Sequence, residues 1–384
     1  MVAITEAQAT SEQVELTWDN GKTSAFLHVW LRDNCRCSIC YHAVAMERIL
    51  DSSSIPLGIQ PKSVAVNNAN EALEVVWATE DSHESSYPFE FLELYSGFAD
   101  DGGETGQKLW GVADMERDLP GLPRVTYESV MADEKGVLAW LEMLNTYGFT
   151  IVGGVPHGRK RVEEVGRRIS IIRNSFWGES SWDVKDKPDP TSLSLTGGEL
   201  FPHTDLCFSD SQPGVQFLHC LEFSADKIVG GESTIVDGYF VAEKIRRENP
   251  EAFKVLTTQR IAHVFSSKKH HFRFDGPVIT LDPLDGSVKE MRFNQALIAP
   301  LQAANKELYA ALQLFARETR NLENLLHFRL KEGDMLVFNN RRMMHGRSGY
   351  DAVNTRRHLE GCYLDFEEFQ GRLKKLREAG AAAA

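Results

Sequence analysis

The sequence predicts a mainly β protein with flanking helices. It divides into a small β-rich domain over residues 1–100 and a larger β-sandwich or jelly-roll domain over residues 101–384. Three observations carry this prediction. Asn20-Gly21 sits between two β-prone runs in VELTWDNGKTSAFLHVWL, the strongest short-range hairpin signal. From about residue 195 onward, short apolar runs alternate with turn residues, as strands of a sandwich do. Between these regions, the segment DDGGETG from Asp100 to Gly106 is polar, glycine-rich and without period, which marks a linker.

In the first part, the Asn-Gly hairpin is followed by a further strand, ALEVVWA. The second part opens with a helix over DEKGVLAWLEMLNTYG. Its Val137, Leu138, Leu141 and Leu144 fall at helical spacing, and Gly148 stops it. FTIVGG reads as a buried strand, and RVEEVGRRISIIR as a second amphipathic helix with Val162, Val165, Ile169 and Ile172 on one side. The sandwich strands are GVQFLHCL, GESTIVDG, PVITLD, KEMRF and DMLVFNN; helices are predicted at YFVAEKIRREN and ELYAALQLFARE. No internal repeat stands out.

Composition narrows the function. The 384 residues are 42% hydrophobic and 25% charged, with 42 Lys and Arg against 55 Asp and Glu and a net charge of −13. That balance argues against nucleic acid as a partner, since phosphate contacts require a basic footprint. No run approaches the ~20 apolar residues that span a bilayer. The N-terminus shows neither the basic nor the apolar region of a signal peptide. Six cysteines in this length do not make a disulfide scaffold, so a reducing, cytoplasmic setting is expected.

Two clusters read as metal sites. Cys35, Cys37 and Cys40 place three thiols within six residues, and a fourth tetrahedral ligand would complete a structural zinc site. His42 is close in sequence, and His83, beyond the second strand, is better placed to close the tetrahedron. The second cluster is Phe201-Pro202-His203-Thr204-Asp205. Residues two apart on an extended chain point to the same side, so His203 and Asp205 can meet one ion. His345, in RRMMHGRSGY, is the third ligand proposed. Two histidines and one carboxylate on one face form the facial triad of non-haem Fe(II) oxygenases, with positions left open. Arg357 follows in NTRRHLEGCYLD, and a guanidinium binds a carboxylate through two parallel hydrogen bonds, as the cosubstrate 2-oxoglutarate would require. His219, in the apolar run FLHCL, reads as a core or supporting histidine, and His270 and His271 as surface residues.

WLRDNCRCSIC, FPHTD, PGVQFLHCL, GGESTIVDG, FNNRRMMHGR and RRHLEGCYLD together resemble the γ-butyrobetaine and trimethyllysine hydroxylases, a family of Fe(II)/2-oxoglutarate dioxygenases. The similarity runs from about residue 12 to 378. It implies a double-stranded β-helix (cupin-like) catalytic domain, a small zinc-bearing N-terminal domain, and a homodimer. It carries iron to His203, Asp205 and His345, and zinc to Cys35, Cys37, Cys40 and His83. It also carries the cosubstrate to Arg357 and Ser233.

The family holds a trimethylammonium group against aromatic faces, because such a cation cannot donate hydrogen bonds. Trp177, Trp182 and Tyr363 stand at the matching places. Where γ-butyrobetaine hydroxylases have an Asn-Ala-Tyr-like stretch, this chain has Ser192-Leu193-Ser194-Leu195. Ser192, Ser194, Arg292 and Asn294 then suit a phosphonate, so the resemblance implies oxygen-dependent hydroxylation of 2-(trimethylammonio)ethylphosphonate at the carbon β to nitrogen. γ-Butyrobetaine, giving L-carnitine, is the alternative. A non-catalytic cupin-like binding module or a zinc-organised interaction module is the alternative of another class.

Overall fold

The computed structural model describes residues 2–69, 71–79, 81–97, 106–176, 180–223, 230–301 and 306–382. The chain forms two compact units, 1–105 and 106–384. Most of the linker segment Asp100–Gly106 lies outside the described residues.

The first unit is built twice from one pattern. Strands Ile4–Ala9, Gln13–Trp18 and Thr23–Leu27 form one antiparallel sheet and lead into the helix His28–Asp33. Strands Pro61–Asn67, Ala72–Trp77 and Glu84–Pro88 form a second and lead into the helix Phe89–Leu94. In each copy the middle strand ends on a buried tryptophan whose indole N–H donates to a serine on the next strand: Trp18 to Ser24 and Trp77 to Ser85, both at 2.9 Å. Leu16, Phe26 and Leu31 of one copy share a core with Val75, Tyr87 and Leu92 of the other. This duplication corrects the reading that the chain has no internal repeat. The copies have diverged in all but a few buried positions, and their hairpin loops differ in length.

The second unit is the sandwich. Its six-stranded sheet runs Trp182–Lys185, Arg357–Leu364, Val215–Phe223, Met335–Asn339, Phe149–Gly153, Arg124–Thr126. Its four-stranded sheet runs Leu200–His203, Met343–Arg347, Ser233–Asp237, Leu325–Phe328. The chain passes between these sheets as it moves from residue 200 to 364, which is the double-stranded β-helix. Alternation along the strands decides what each face meets. Phe149, Ile151, Leu218, Leu336 and Phe338 pack with Ile235, Phe328 and Met343 of the other sheet. Val152, Phe217, Met335, Val337 and Leu364 turn the opposite way, against Trp140, Leu141, Leu144, Phe369 and Leu373 of helices Glu134–Tyr147 and Phe366–Ala382. Gly148 ends the first of these helices with φ 78, a left-handed value that favours glycine. Helices Gly238–Glu248, Pro250–Thr258 and Lys306–Glu318 fill the long excursion between strands 233–237 and 325–328.

The helix predicted over RVEEVGRRISIIR is shorter, Arg161–Gly166. Beyond it the chain folds back, and Arg173 bridges to Tyr363. A Cβ on Gly166 would lie 2.6 Å from Ile172 Cδ1, so the return is packed directly on the helix end.

Asp237 and Arg342 tie together the ends of the two inner strands of the four-stranded sheet. Both are fully buried, and Arg342 meets both carboxylate oxygens, at 3.1 and 2.7 Å. Asp237 also caps the helix Gly238–Glu248 through Tyr239 and Phe240 N–H, and accepts from Trp110 N–H. Asp237→Ala would leave the guanidinium buried and unpaired, a loss of about 3–5 kcal/mol. Urea unfolding checks this; a loss under about 1 kcal/mol would mean the pair contributes little.

Candidate active site

The four-stranded sheet builds the metal centre. Its register sets His203 directly opposite His345, with ring centroids 4.3 Å apart. The strand ends at His203 and the chain turns, with Leu206 at φ 51. Asn340 clasps the turn: its Oδ1 accepts from Asp205 N–H at 2.8 Å and its amide donates to Asp205 O at 3.1 Å. Asp205 Oδ1 then lies 3.3 Å from His203 Nε2 and 3.9 Å from His345 Nε2, and the three donor atoms fall within 4.8 Å of one another. His203 Nδ1 meets Phe201 O at 2.8 Å, which fixes the ring and leaves Nε2 for a metal.

Charge agrees with geometry. Burial, with His203 alongside, pushes His345 down to about 3, so it is a neutral imidazole at physiological pH. Burial alone would raise Asp205. His345, His203 and the Tyr363 hydroxyl outweigh it and hold the carboxyl well below its usual range. Two imidazoles and one carboxylate fit a divalent iron that keeps open positions.

These residues line a cavity of about 1280 Å³ between the sheets. Arg357, at the start of the strand Arg357–Leu364, lines it and is buried, and its Nε has no hydrogen-bond partner. Burial and the neighbouring Arg347 guanidinium lower Arg357 to about 10. A buried guanidinium without a carboxylate fits the distal carboxylate of 2-oxoglutarate. Ser233 also lines the cavity, paired across the sheet with Arg347. Arg347 donates to Thr196 O and Gly198 O at 2.7 and 2.6 Å, tying down the chain that carries Ser192 and Ser194.

The residues expected to hold substrate are placed unevenly. Ser192, Ser194 and Asn294 line the cavity. Ser194 Oγ donates to Ser192 Oγ at 3.0 Å, and Asn294 caps a short turn through Ala296 N–H at 3.1 Å. Arg292 does not line it, which corrects its assignment to the anionic end. Its nitrogens are spent on Glu290 at 2.9 Å, on Asp210 O at 3.1 Å and on Cys207 O and Ser209 O, and its plane covers Phe274 at 3.8 Å. It is a strut for the turn that follows Asp205. Trp182 and Tyr363 stack on each other at 4.0 Å, leaving no room for a cation between them, so only their outer faces are on offer. A Cβ on Gly361 would come within 2.9 Å of Trp182, so the ring lies directly on that glycine. Trp177 lies outside the described residues. Phe208 and Phe265, stacked at 5.1 Å, are further aromatic walls of the cavity, absent from the sequence reading.

His219 is a core residue. It is fully buried, and neither ring nitrogen has a partner. Burial, then His157 and Arg161, lower it to about 4. The unfolded imidazole takes a proton near 6.5, whereas the folded one stays neutral until about 4. Its contribution is therefore full above 6.5 and declines as pH falls. Between pH 7 and 5 the wild type is expected to lose about 2 kcal/mol more stability than His219→Leu. Urea unfolding of both proteins at the two pH values measures the difference; parallel losses would refute it.

In the first unit, Cys35, Cys37, Cys40 and His83 converge. His83 Nε2 lies 3.4, 3.7 and 3.5 Å from the three sulfurs. About 3.5 Å is the ligand–ligand edge of a tetrahedron with Zn–S ~2.3 Å and Zn–N ~2.0 Å, so the four fit zinc. His42 stays outside this cluster and accepts from Ala45 N–H at 3.0 Å.

Comparison with known proteins agrees with this picture. The model of the taurine catabolism dioxygenase TauD, TfdA family matches residues 113–363. That of the γ-butyrobetaine hydroxylase-like N-terminal domain matches residues 5–93. A γ-butyrobetaine dioxygenase of Pseudomonas sp. (strain AK-1) is 34% identical over 97% of this chain and 96% of its own. The human γ-butyrobetaine dioxygenase is 29% identical with the same coverage. A trimethyllysine dioxygenase of Meyerozyma guilliermondii is 27% identical, again over 97% and 96%. Among the described residues, no helix is long and apolar enough to cross a membrane.

Proposed function

Because the chain belongs to the taurine catabolism dioxygenase TauD, TfdA family, and within it to the γ-butyrobetaine and trimethyllysine dioxygenases, we propose that it hydroxylates γ-butyrobetaine to L-carnitine. The enzyme class is that of an Fe(II)/2-oxoglutarate oxygenase acting on a small trimethylammonium compound. The observation that supports this substrate is the 34% identity, across nearly the whole of both chains, to a protein named for it. It favours γ-butyrobetaine over the phosphonate expected from Ser192 and Ser194. The loss of Arg292 as an anion receptor weakens the phosphonate further.

Iron with 2-oxoglutarate and oxygen supplies C–H oxidation, yielding succinate and CO2. The chain's residues arrange the partners. His203, Asp205 and His345 hold the metal on one face. Arg357 receives the distal carboxylate of 2-oxoglutarate, with Ser233 beside it. The outer face of Trp182, with Phe208 and Phe265, receives the trimethylammonium group, while Ser192, Ser194 and Asn294 meet the anionic end. Held at both ends, the substrate presents one carbon, β to nitrogen, to the metal. The reading assigns this chemistry to residues 101–384 and structural zinc to residues 1–100. It includes a homodimer, tested by light scattering, and a cytoplasmic setting.

A second reading, 2-(trimethylammonio)ethylphosphonate, is favoured by the two serine hydroxyls that line the cavity. The test offers Fe(II)-loaded protein 2-oxoglutarate, oxygen and each substrate in turn, and follows substrate-dependent succinate and the mass of the product. γ-Butyrobetaine is expected to turn over and gain one oxygen. Turnover of the phosphonate alone would transfer the assignment, and turnover of neither would refute both.

A further inference from the structure

The metal ligand Asp205 has one oxygen already engaged by the protein. Its Oδ2 accepts from Gln216 Nε2 and from the Tyr363 hydroxyl, each at 2.7 Å. Its Oδ1 faces the two histidine Nε2 atoms. Gln216 and Tyr363 are direct cross-strand partners in the six-stranded sheet, so the register brings both donors to the same oxygen. They are 2% and 1% exposed. Trp182 is stacked on the Tyr363 ring, which holds the hydroxyl in place.

A carboxylate binds a metal through one oxygen or through both, and two hydrogen bonds from an amide and a phenol occupy the in-plane lone pairs of Oδ2. Were Oδ2 free, it could swing onto the metal and fill a position that the chelating cosubstrate needs. We propose that Gln216 and Tyr363 are positioning residues that restrict Asp205 to one-oxygen ligation and thereby keep the neighbouring coordination position open. This assigns Tyr363 a task beyond an aromatic wall and gives Gln216 a role in the same site. It rests on the metal centre and is independent of which trimethylammonium compound is the substrate.

The test uses the full-length protein loaded with Co(II), a probe whose ligand-field spectrum reports coordination. Wild type, Gln216→Leu, Tyr363→Phe and the double variant are compared. Three quantities are read: the Co(II) dissociation constant, the ligand-field spectrum and the affinity of the Co(II) form for 2-oxoglutarate. Tyr363→Phe keeps the ring against Trp182 and removes only the hydroxyl, so it tests the proposal even if Gln216→Leu disturbs the fold. Each single variant is expected to weaken Co(II) binding by about tenfold, as loss of a partner behind a metal ligand does. The double variant is expected to show an altered ligand-field spectrum and at least tenfold weaker 2-oxoglutarate binding. A double variant with the wild-type spectrum overturns the proposal whatever its Co(II) affinity. Wild-type 2-oxoglutarate affinity alongside a changed spectrum also overturns it, because the open position would then not depend on the lock.

Discussion

Arg357→Ala is expected to raise the 2-oxoglutarate concentration for half-maximal succinate formation by about 30-fold to several thousand-fold. Removing one partner of a buried, hydrogen-bonded charge pair costs about 2–5 kcal/mol, and each 1.4 kcal/mol is a factor of ten. Arg357 is 9% exposed, its Nε lacks a partner, and no described carboxylate forms an ion pair with it. In the ligand-free protein the guanidinium is thus an uncompensated cation, held down to about 10 by burial and by Arg347. The same substitution should therefore leave thermal stability without cosubstrate unchanged or higher, because a desolvated charge is removed. Arg357→Lys should recover only part of the affinity, since an ammonium cannot match a carboxylate with a planar fork. Metal affinity should not move, as Arg357 is not a ligand. Calorimetric titration with 2-oxoglutarate and the cosubstrate dependence of turnover measure the effect. Half-saturation within threefold of the wild type would place the cosubstrate elsewhere.

The parts of this site that could be read from the sequence are those fixed by local geometry. His203 and Asp205 are two residues apart, and three cysteines within six residues constrain one another wherever the loop lies. Arg357 and His345 were recoverable because their chemistry matches a known need. The remainder depends on pairings the sequence does not encode locally. Gln216 reads as a polar interruption in an apolar strand, and only the cross-strand register with Tyr363 brings it to Asp205. Asn340 clasps the turn from the far end of another strand. Arg292 was misassigned because an arginine's composition does not reveal that backbone carbonyls consume its donors. The main helices and most strands followed their periodicities, but PVITLD and KEMRF, expected in the sandwich, pair only with each other as a two-stranded sheet outside it. The duplication in the first unit stayed hidden because its two copies agree only at a few buried positions, such as Trp18 with Trp77 and Ser24 with Ser85.

The zinc cluster should control the stability of the first unit without supplying chemistry. Cys35, Cys37 and Cys40 lie just beyond the helix of the first repeat, and His83 lies in the hairpin turn of the second. A metal shared by all four joins the two copies at their loops, beside the Tyr87 hydroxyl that donates to Leu31 O. Four protein ligands leave no open position, which distinguishes this site from His203, Asp205 and His345. Cys40 is buried, and its conversion to serine replaces a thiolate with a hydroxyl that binds zinc poorly. Cys40→Ser is therefore expected to lower bound zinc from one per chain to well below half by elemental analysis. It should also destabilise the first unit by several kcal/mol, a fraction of the ~10–16 kcal/mol that structural zinc contributes in small domains. That unit has its own core around Trp18, Leu31, Trp77 and Leu92, so it should loosen before it unfolds completely. Limited proteolysis should then cut within residues 35–50 first. The iron centre draws all its ligands from the second unit, so Co(II) affinity there should change by less than about threefold. A Cys40→Ser protein that keeps a full zinc complement, or resists proteolysis as the wild type does, would show that the three thiols do not hold a structural ion.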